Sequence, residues 1–109
     1  MSFVWDEWNR NHLKKHGVLH GEARFIVEHR VPPFPRYVGD GKYLVRGQTA
    51  AGRYLQVIYA LRSDEDLDYE QMDLQAIIEL SEDESPSFYI LHARDLTAKE
   101  KRQFRRRRT

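Results

Sequence analysis

Lys42-Tyr43-Leu44-Val45-Arg46-Gly47-Gln48-Thr49-Ala50-Ala51-Gly52-Arg53-Tyr54-Leu55-Gln56-Val57-Ile58-Tyr59-Ala60-Leu61-Arg62 is the stretch that decides the fold. Its first part is strand-forming through Tyr43, Leu44 and Val45. Thr49-Ala50-Ala51-Gly52 predicts a tight turn, with Gly52 supplying a positive φ. Residues 53–62 alternate and carry Tyr54, Leu55, Val57, Ile58 and Tyr59, so the whole reads as an antiparallel hairpin. Alternation sets Lys42, Leu44 and Arg46 on one face and Tyr43, Val45 and Gly47 on the other.

Working outward toward the C-terminus, Phe88-Tyr89-Ile90-Leu91 predicts a third strand over residues 87–94. Strict alternation along it pairs His92 with Ile90 on one face and Leu91 with Ala93 on the other. Thr97 and Glu100 form a capping-box pair that starts a last, basic helix. Toward the N-terminus, Asp6 is a candidate N-cap and Gly17 a candidate C′ residue, which predicts a helix over residues 6–16. Trp5, Trp8 and Leu13 would share one side of it. A second helix is expected over residues 21–28, with Ala23, Phe25, Ile26 and Val27 as its apolar positions. Val31-Pro32-Pro33-Phe34-Pro35 cannot continue a helix and reads as an extended connector. Residues 72–80 fit a short helix or an extra strand equally.

The expected order is helix, helix, strand, strand, insert, strand, helix. That order predicts an α+β domain of two layers, with the N-terminal helices on an antiparallel β-meander and a basic C-terminal helix. The face against the first helix is expected to be Leu55, Val57, Tyr59, Phe88 and Ile90, or else the alternate set Tyr54, Ile58, Tyr89 and Leu91.

The 109 residues suit one domain, 1–109, with a single core. No cysteine is present, so neither a disulfide framework nor a thiolate metal site is expected. No apolar run approaches the ~20 residues of a membrane span. The start MSFVWDEWNR is unlike a signal peptide, so no membrane partner and a cytoplasmic setting are expected. The net charge of +1 hides a segregation. Residues 1–61 hold 9 Lys and Arg against 5 Asp and Glu, and residues 87–109 hold 8 against 2. Between them, residues 62–86 hold 1 against 10, an acidic insert of about 63–86 between two basic segments.

Clustered cations and histidines are the equipment for gripping and cutting an RNA backbone. Metal-free cleavage requires a base for the 2′-hydroxyl, an acid for the 5′-oxygen and cations for the phosphate charge. Histidine suits the first two roles and arginine the third. His16, in Lys14-Lys15-His16-Gly17, is a candidate; its bland role is to favour the negative end of the helix dipole. His12 lies one turn earlier, but two histidines at that spacing make no metal site without a third ligand. Arg94, between a strand and a helix N-terminus, is placed for phosphate, or else is paired within the fold, with Asp95 or Asp6. His92 reads as a partly buried structural histidine. Lys42, Arg46 and Arg53 offer a basic row for RNA, or simply a solvent face, with Tyr54 or Tyr59 available to stack a base. Lys101 and Arg105 continue the positive charge on the last helix, and Arg105-Arg106-Arg107-Arg108 is a blunt cationic end.

Val4-Trp5-Asp6-Glu7, followed by Asn11, Lys14 and His16-Gly17, resembles the opening of the BrnT-type toxins of bacterial toxin–antitoxin modules. Gly39 to Gln48 is similar to their basic strand, and Ala93-Arg94, Thr97 and Glu100-Lys101 are similar to their closing run. The resemblance implies a RelE-like α+β fold and a metal-independent, cofactor-free ribonuclease that blocks translation. It further implies a small antitoxin partner whose complex binds operator DNA. In this reading Lys14, His16 and Arg94 are catalytic, and Lys42, Arg46, Arg53, Lys101 and Arg105 hold RNA. The chain departs from the pattern in its long acidic insert, in His92 where Ser or Thr is common, and in Gly41-Lys42 where an acidic–Arg pair is common. The alternative is a non-enzymatic RNA-binding or protein-interaction module on the same scaffold.

Overall fold

A computed structural model describes residues 2–62 and 86–107, the side chain of residue 107 excepted. The acidic insert, apart from Arg62 and Pro86, and the end of the arginine run therefore lie outside the described residues, as does the ambiguous segment 72–80. The elements are β1 (Ser2–Val4), α1 (Glu7–Lys15), α2 (His20–Glu28), β2 (Arg36–Gly39), β3 (Lys42–Gln48), β4 (Tyr54–Arg62), β5 (Ser87–Asp95) and α3 (Ala98–Arg107). The protein is an α+β fold of three helices and one five-stranded sheet in the order β1-β5-β4-β3-β2.

The hairpin forms as its sequence requires. Seven residue pairs join β3 to β4, from Lys42 opposite Ala60 to Gln48 opposite Tyr54. In the turn, Thr49 accepts the Arg53 N–H through its hydroxyl at 3.0 Å, and Gly52 adopts φ +95°. The connector after α2 does more than expected: it leads into β2, which pairs antiparallel with β3. A second addition is β1, which pairs parallel with β5 at the far edge. The meander is thus antiparallel with one parallel edge strand. Both added strands are short, and each exists because a neighbour supplies the other half of its hydrogen bonds.

Of the two alternating strand faces left open by the sequence, one is buried, and the helix over β3 and β4 is α2 rather than the first helix. Leu55, Val57, Tyr59, Phe88 and Ile90 are buried with Val45 and with Ala23, Ile26 and Val27 of α2. α2 lies over β3 and β4. Gly47 is what allows the close approach: a Cβ there would stand 3.2 Å from the Ile26 Cδ1. Burial pushes the Tyr59 hydroxyl up to about 12, so this ring belongs to the core and is no platform for a base.

α1 is placed differently from expectation. It runs along β5, with Asp6 and Trp8 at Tyr89 and His16 at His92. It therefore flanks the sheet edge rather than lying flat on the sheet. Leu13 is the apolar side chain it buries, while Trp8 is 49% exposed, so Trp8 and Leu13 do not share a buried side. The inward partner of Leu13 is Asn9, 0% exposed. Its Oδ1 accepts the Asp6 N–H at 2.9 Å, and its Nδ2 donates to the Val4 carbonyl at 2.9 Å. The Asp6 carboxylate in return accepts the Asn9 N–H at 3.0 Å and the Tyr89 hydroxyl at 2.7 Å. Those two donors, the Asn9 amide first, hold the Asp6 carboxyl below its usual range.

Asn9, itself buried, thus ties β1, the start of α1 and, through the exposed Asp6, β5 into one polar knot. Replacing it with Ala removes the side-chain bonds to the Val4 carbonyl and the Asp6 amide. The Asn9→Ala protein is expected to lose about 2 kcal/mol of stability. Urea unfolding should show a lower midpoint with an unchanged slope.

Candidate functional site

The site is set by an irregularity in β5. Ile58 of β4 opposes His92, and the next residue, Tyr59, opposes Ile90, so Leu91 is an extra residue, a β-bulge. This corrects the alternation expected from the sequence. Ile90 and Ala93 both turn to the helix-covered face, each 0% exposed, whereas Leu91 and His92 are half-buried. Beyond the bulge, Arg94 opposes Gln56, and Gln56 opposes Arg46. These three stand side by side on the face away from α2.

The start of α3 closes over that row. Thr97 and Glu100 form the expected reciprocal cap, at 2.8 and 3.2 Å. The Glu100 carboxylate is also gripped in a fork by Arg94, at 2.7 and 2.9 Å, and accepts Arg46 Nη2 at 3.0 Å. Arg46 Nε donates to the Gln56 amide oxygen at 3.1 Å. Arg94 is therefore paired within the fold, with the Glu100 carboxylate, and its Nη1 also donates to the Asp95 carbonyl at 3.0 Å, whereas Asp6 lies at Tyr89. One turn further on, Phe104 packs edge-on to Tyr54, Lys101 Nζ lies 5.8 Å from the Tyr54 ring, and Arg105 Nε donates to its hydroxyl at 3.2 Å.

The histidines gather at the same end of β5. The His16 and His92 rings meet edge-on, centroids 4.7 Å apart. His12 stacks on Trp8 at 4.0 Å and lies near enough for its charge to act on His92. Burial, then the charges of His16, Arg94 and His12, push the His92 imidazole below its ordinary value. Among the described residues, no group of three or more His, Asp or Glu side chains is arranged to hold a metal ion.

The expected site residues thus divide. His16, Arg94, Arg46, Lys101 and Arg105 fall on or beside one face. Arg53 is turned to the other: it grips Asp95 in a fork at 2.8 and 3.0 Å and donates to Glu22 at 3.0 Å and to the Gly17 carbonyl at 2.9 Å. It staples the α1–α2 turn to the sheet. Lys14 lines a groove along α1 together with Trp8, Asn11, His12 and Lys15. Lys42 sits at the far end of β3, about 13 Å along the strand from Arg46. His92 and Glu100 are the participants the sequence reading did not assign to the site. The sequence carried no signal for this, because Phe88-Tyr89-Ile90-Leu91 is apolar at every position and does not show which residue is inserted.

No helix is long and apolar enough to cross a membrane among the described residues. Compared with known proteins, the chain matches no protein-family model and no curated relative.

The two guanidiniums matter for acid stability. Arg94, with the Thr97 amide and Arg46, holds the Glu100 carboxyl down to about 2, from an ordinary 4.5. A depressed carboxyl stabilises the fold above its unfolded value and ceases to do so as pH falls through the folded one. Glu100→Gln is therefore expected to cost about 2 kcal/mol at neutral pH. The gap between the two proteins, followed as denaturation midpoint against pH, should close between 4.5 and about 2.

Proposed function

We propose that the protein is a BrnT-like toxin of a type II toxin–antitoxin module, a metal-independent endoribonuclease that inhibits translation. The observation that carries this reading is the contact between His16 and His92 at 4.7 Å beside Arg94. Two imidazoles and an arginine on one exposed flank are a sufficient set for moving the two protons of RNA cleavage and holding the phosphate. Arg46, Lys101 and Arg105, with the Tyr54 ring among them, extend positive charge away from that point, which suits a single strand. The motif resemblance at both chain ends supplies the biological class: RNA as substrate, a small antitoxin as protein partner, and operator DNA only through their complex. No cofactor enters the chemistry.

A second reading has its own supporting observation. Arg46 and Arg94 both hold Glu100, and Arg53 holds Asp95 and Glu22. Arginines so occupied favour a non-enzymatic RNA-binding or interaction module.

Induced expression in a bacterium separates the two. Growth arrest with fragmented RNA is expected from the wild type. His16→Ala, an exposed position just past α1, should relieve the arrest and lower purified cleavage by about 10²–10⁴. Cleavage should persist in a chelator. Normal growth with intact RNA would leave the binding module as the reading to keep.

A further inference from the structure

We infer that His92 and His16 work as a base and acid couple, His92 accepting the 2′-hydroxyl proton and His16 protonating the leaving 5′-oxygen. The inference rests on the ribonuclease reading above and assigns roles within its site. Its geometric basis is the bulge at Leu91. Without that extra residue, His92 would share the face of Phe88 and Ile90 and be turned into the core. With it, the imidazole emerges beside the C-terminal end of α1 and meets His16 with ring centroids 4.7 Å apart. Two rings at that separation reach oxygens of a single phosphodiester.

The roles follow from the surroundings. A base must be neutral before it acts. His92 is partly buried in the strand, and the charges acting on it are cationic: His16 and His12 from α1 and Arg94 from its own strand. Its cross-strand neighbour on β4 is the uncharged Ile58, and the nearby carboxylate of α3, Glu100, is already held by Arg94. Each of these conditions disfavours the imidazolium, so the ring is ready to accept a proton. His16 lies exposed just past the last turn of α1, open to a leaving group and to proton exchange with solvent. Arg94, two residues along β5, is the nearest cation on the strand for the phosphate charge and would share its fork between Glu100 and that phosphate.

The step balances without a metal or redox partner. The neutral His92 ring takes the proton from the 2′-hydroxyl, and the 2′-oxygen bonds to phosphorus. The bond from phosphorus to the 5′-oxygen breaks, its electron pair leaves with that oxygen, and the His16 imidazolium supplies the proton. The products are a 2′,3′-cyclic phosphate and a 5′-hydroxyl. His92 then returns one proton to solvent and His16 takes one up.

The test uses the whole chain, two variants and two substrates. On an RNA dinucleotide in chelator, wild-type kcat against pH should be bell-shaped. His92→Gln should lose the acidic limb and His16→Gln the alkaline limb, each with a fall of about 10²–10⁴ in kcat. On a uridine 3′-(4-nitrophenyl phosphate), whose leaving group needs no acid, His16→Gln should recover to within about tenfold of wild type while His92→Gln stays slow. An His92→Gln protein as fast as wild type, or one rescued by the activated substrate, would overturn the couple while leaving the ribonuclease reading intact. Products carrying a 3′-phosphate and no cyclic intermediate would overturn it equally. Wild-type inactivity on both substrates removes the ribonuclease reading itself, and this inference with it. Should His92→Gln fail to fold, failure of the activated substrate to rescue His16→Gln still overturns the assignment.

Discussion

The arrangement of this protein's outer face depends on one extra residue in β5. A strand presents alternate side chains to alternate faces, so a single insertion reverses every side chain beyond it. Before Leu91, Phe88 and Ile90 fill the core; after it, Ala93 does, and Asp95 reaches Arg53 on the helix-covered side. His92 and Arg94 are thereby delivered to the other face. The bulge lets one strand serve the core along its whole length and still carry a histidine and an arginine outward at its end.

Two ion-pair hubs, one centred on the Glu100 carboxylate and one on the Arg53 guanidinium, then fix the elements around that end. Glu100 bridges Arg94 and Arg46, whose strands lie on either side of Gln56 in β4. Its side chain is 15% exposed, and the fork with Arg94 closes at 2.7 and 2.9 Å, so this pair is shielded from solvent better than an ordinary surface pair. It anchors the first turn of α3 and neutralises part of a like-charge row. On the opposite side Arg53 joins Asp95, Glu22 and the Gly17 carbonyl, holding the α1–α2 turn against the hairpin. The two hubs sit at the same end of the sheet, one on each face. The outer-face cations Arg94 and Arg46 are also the ones that hold α3 in place.

α1 owes its position to polar rather than apolar contacts. Asn9, buried beneath the helix, and Asp6, joined to Tyr89, hold it along the free edge of β5 where β1 stops pairing. A helix at an edge buries a narrow stripe. Leu13 is inside, Trp8 is left half in solvent against His12, and His16 reaches past the edge to the outer face.

Sequence by itself determined the elements whose signals are local. β3 begins and ends where Tyr43-Leu44-Val45 and the Thr49–Gly52 turn place it, and β4 and β5 differ from expectation by a residue at one end. The caps at Asp6 and Thr97 were legible because a cap is a contact between residues three apart. The inner face of β4 was legible as one of two alternating sets, since a period of two needs no knowledge of the partner. Tertiary structure decided the rest. β1 and β2 are three and four residues long and acquire strand character from β5 and β3, far away in sequence. The choice between the alternating sets, the partner of Arg94, and the meeting of His16 with His92 across 75 intervening residues all depend on register. Register at the end of β5 is set by the bulge, and a bulge is stabilised by the packing on both of its sides rather than by the residue inserted.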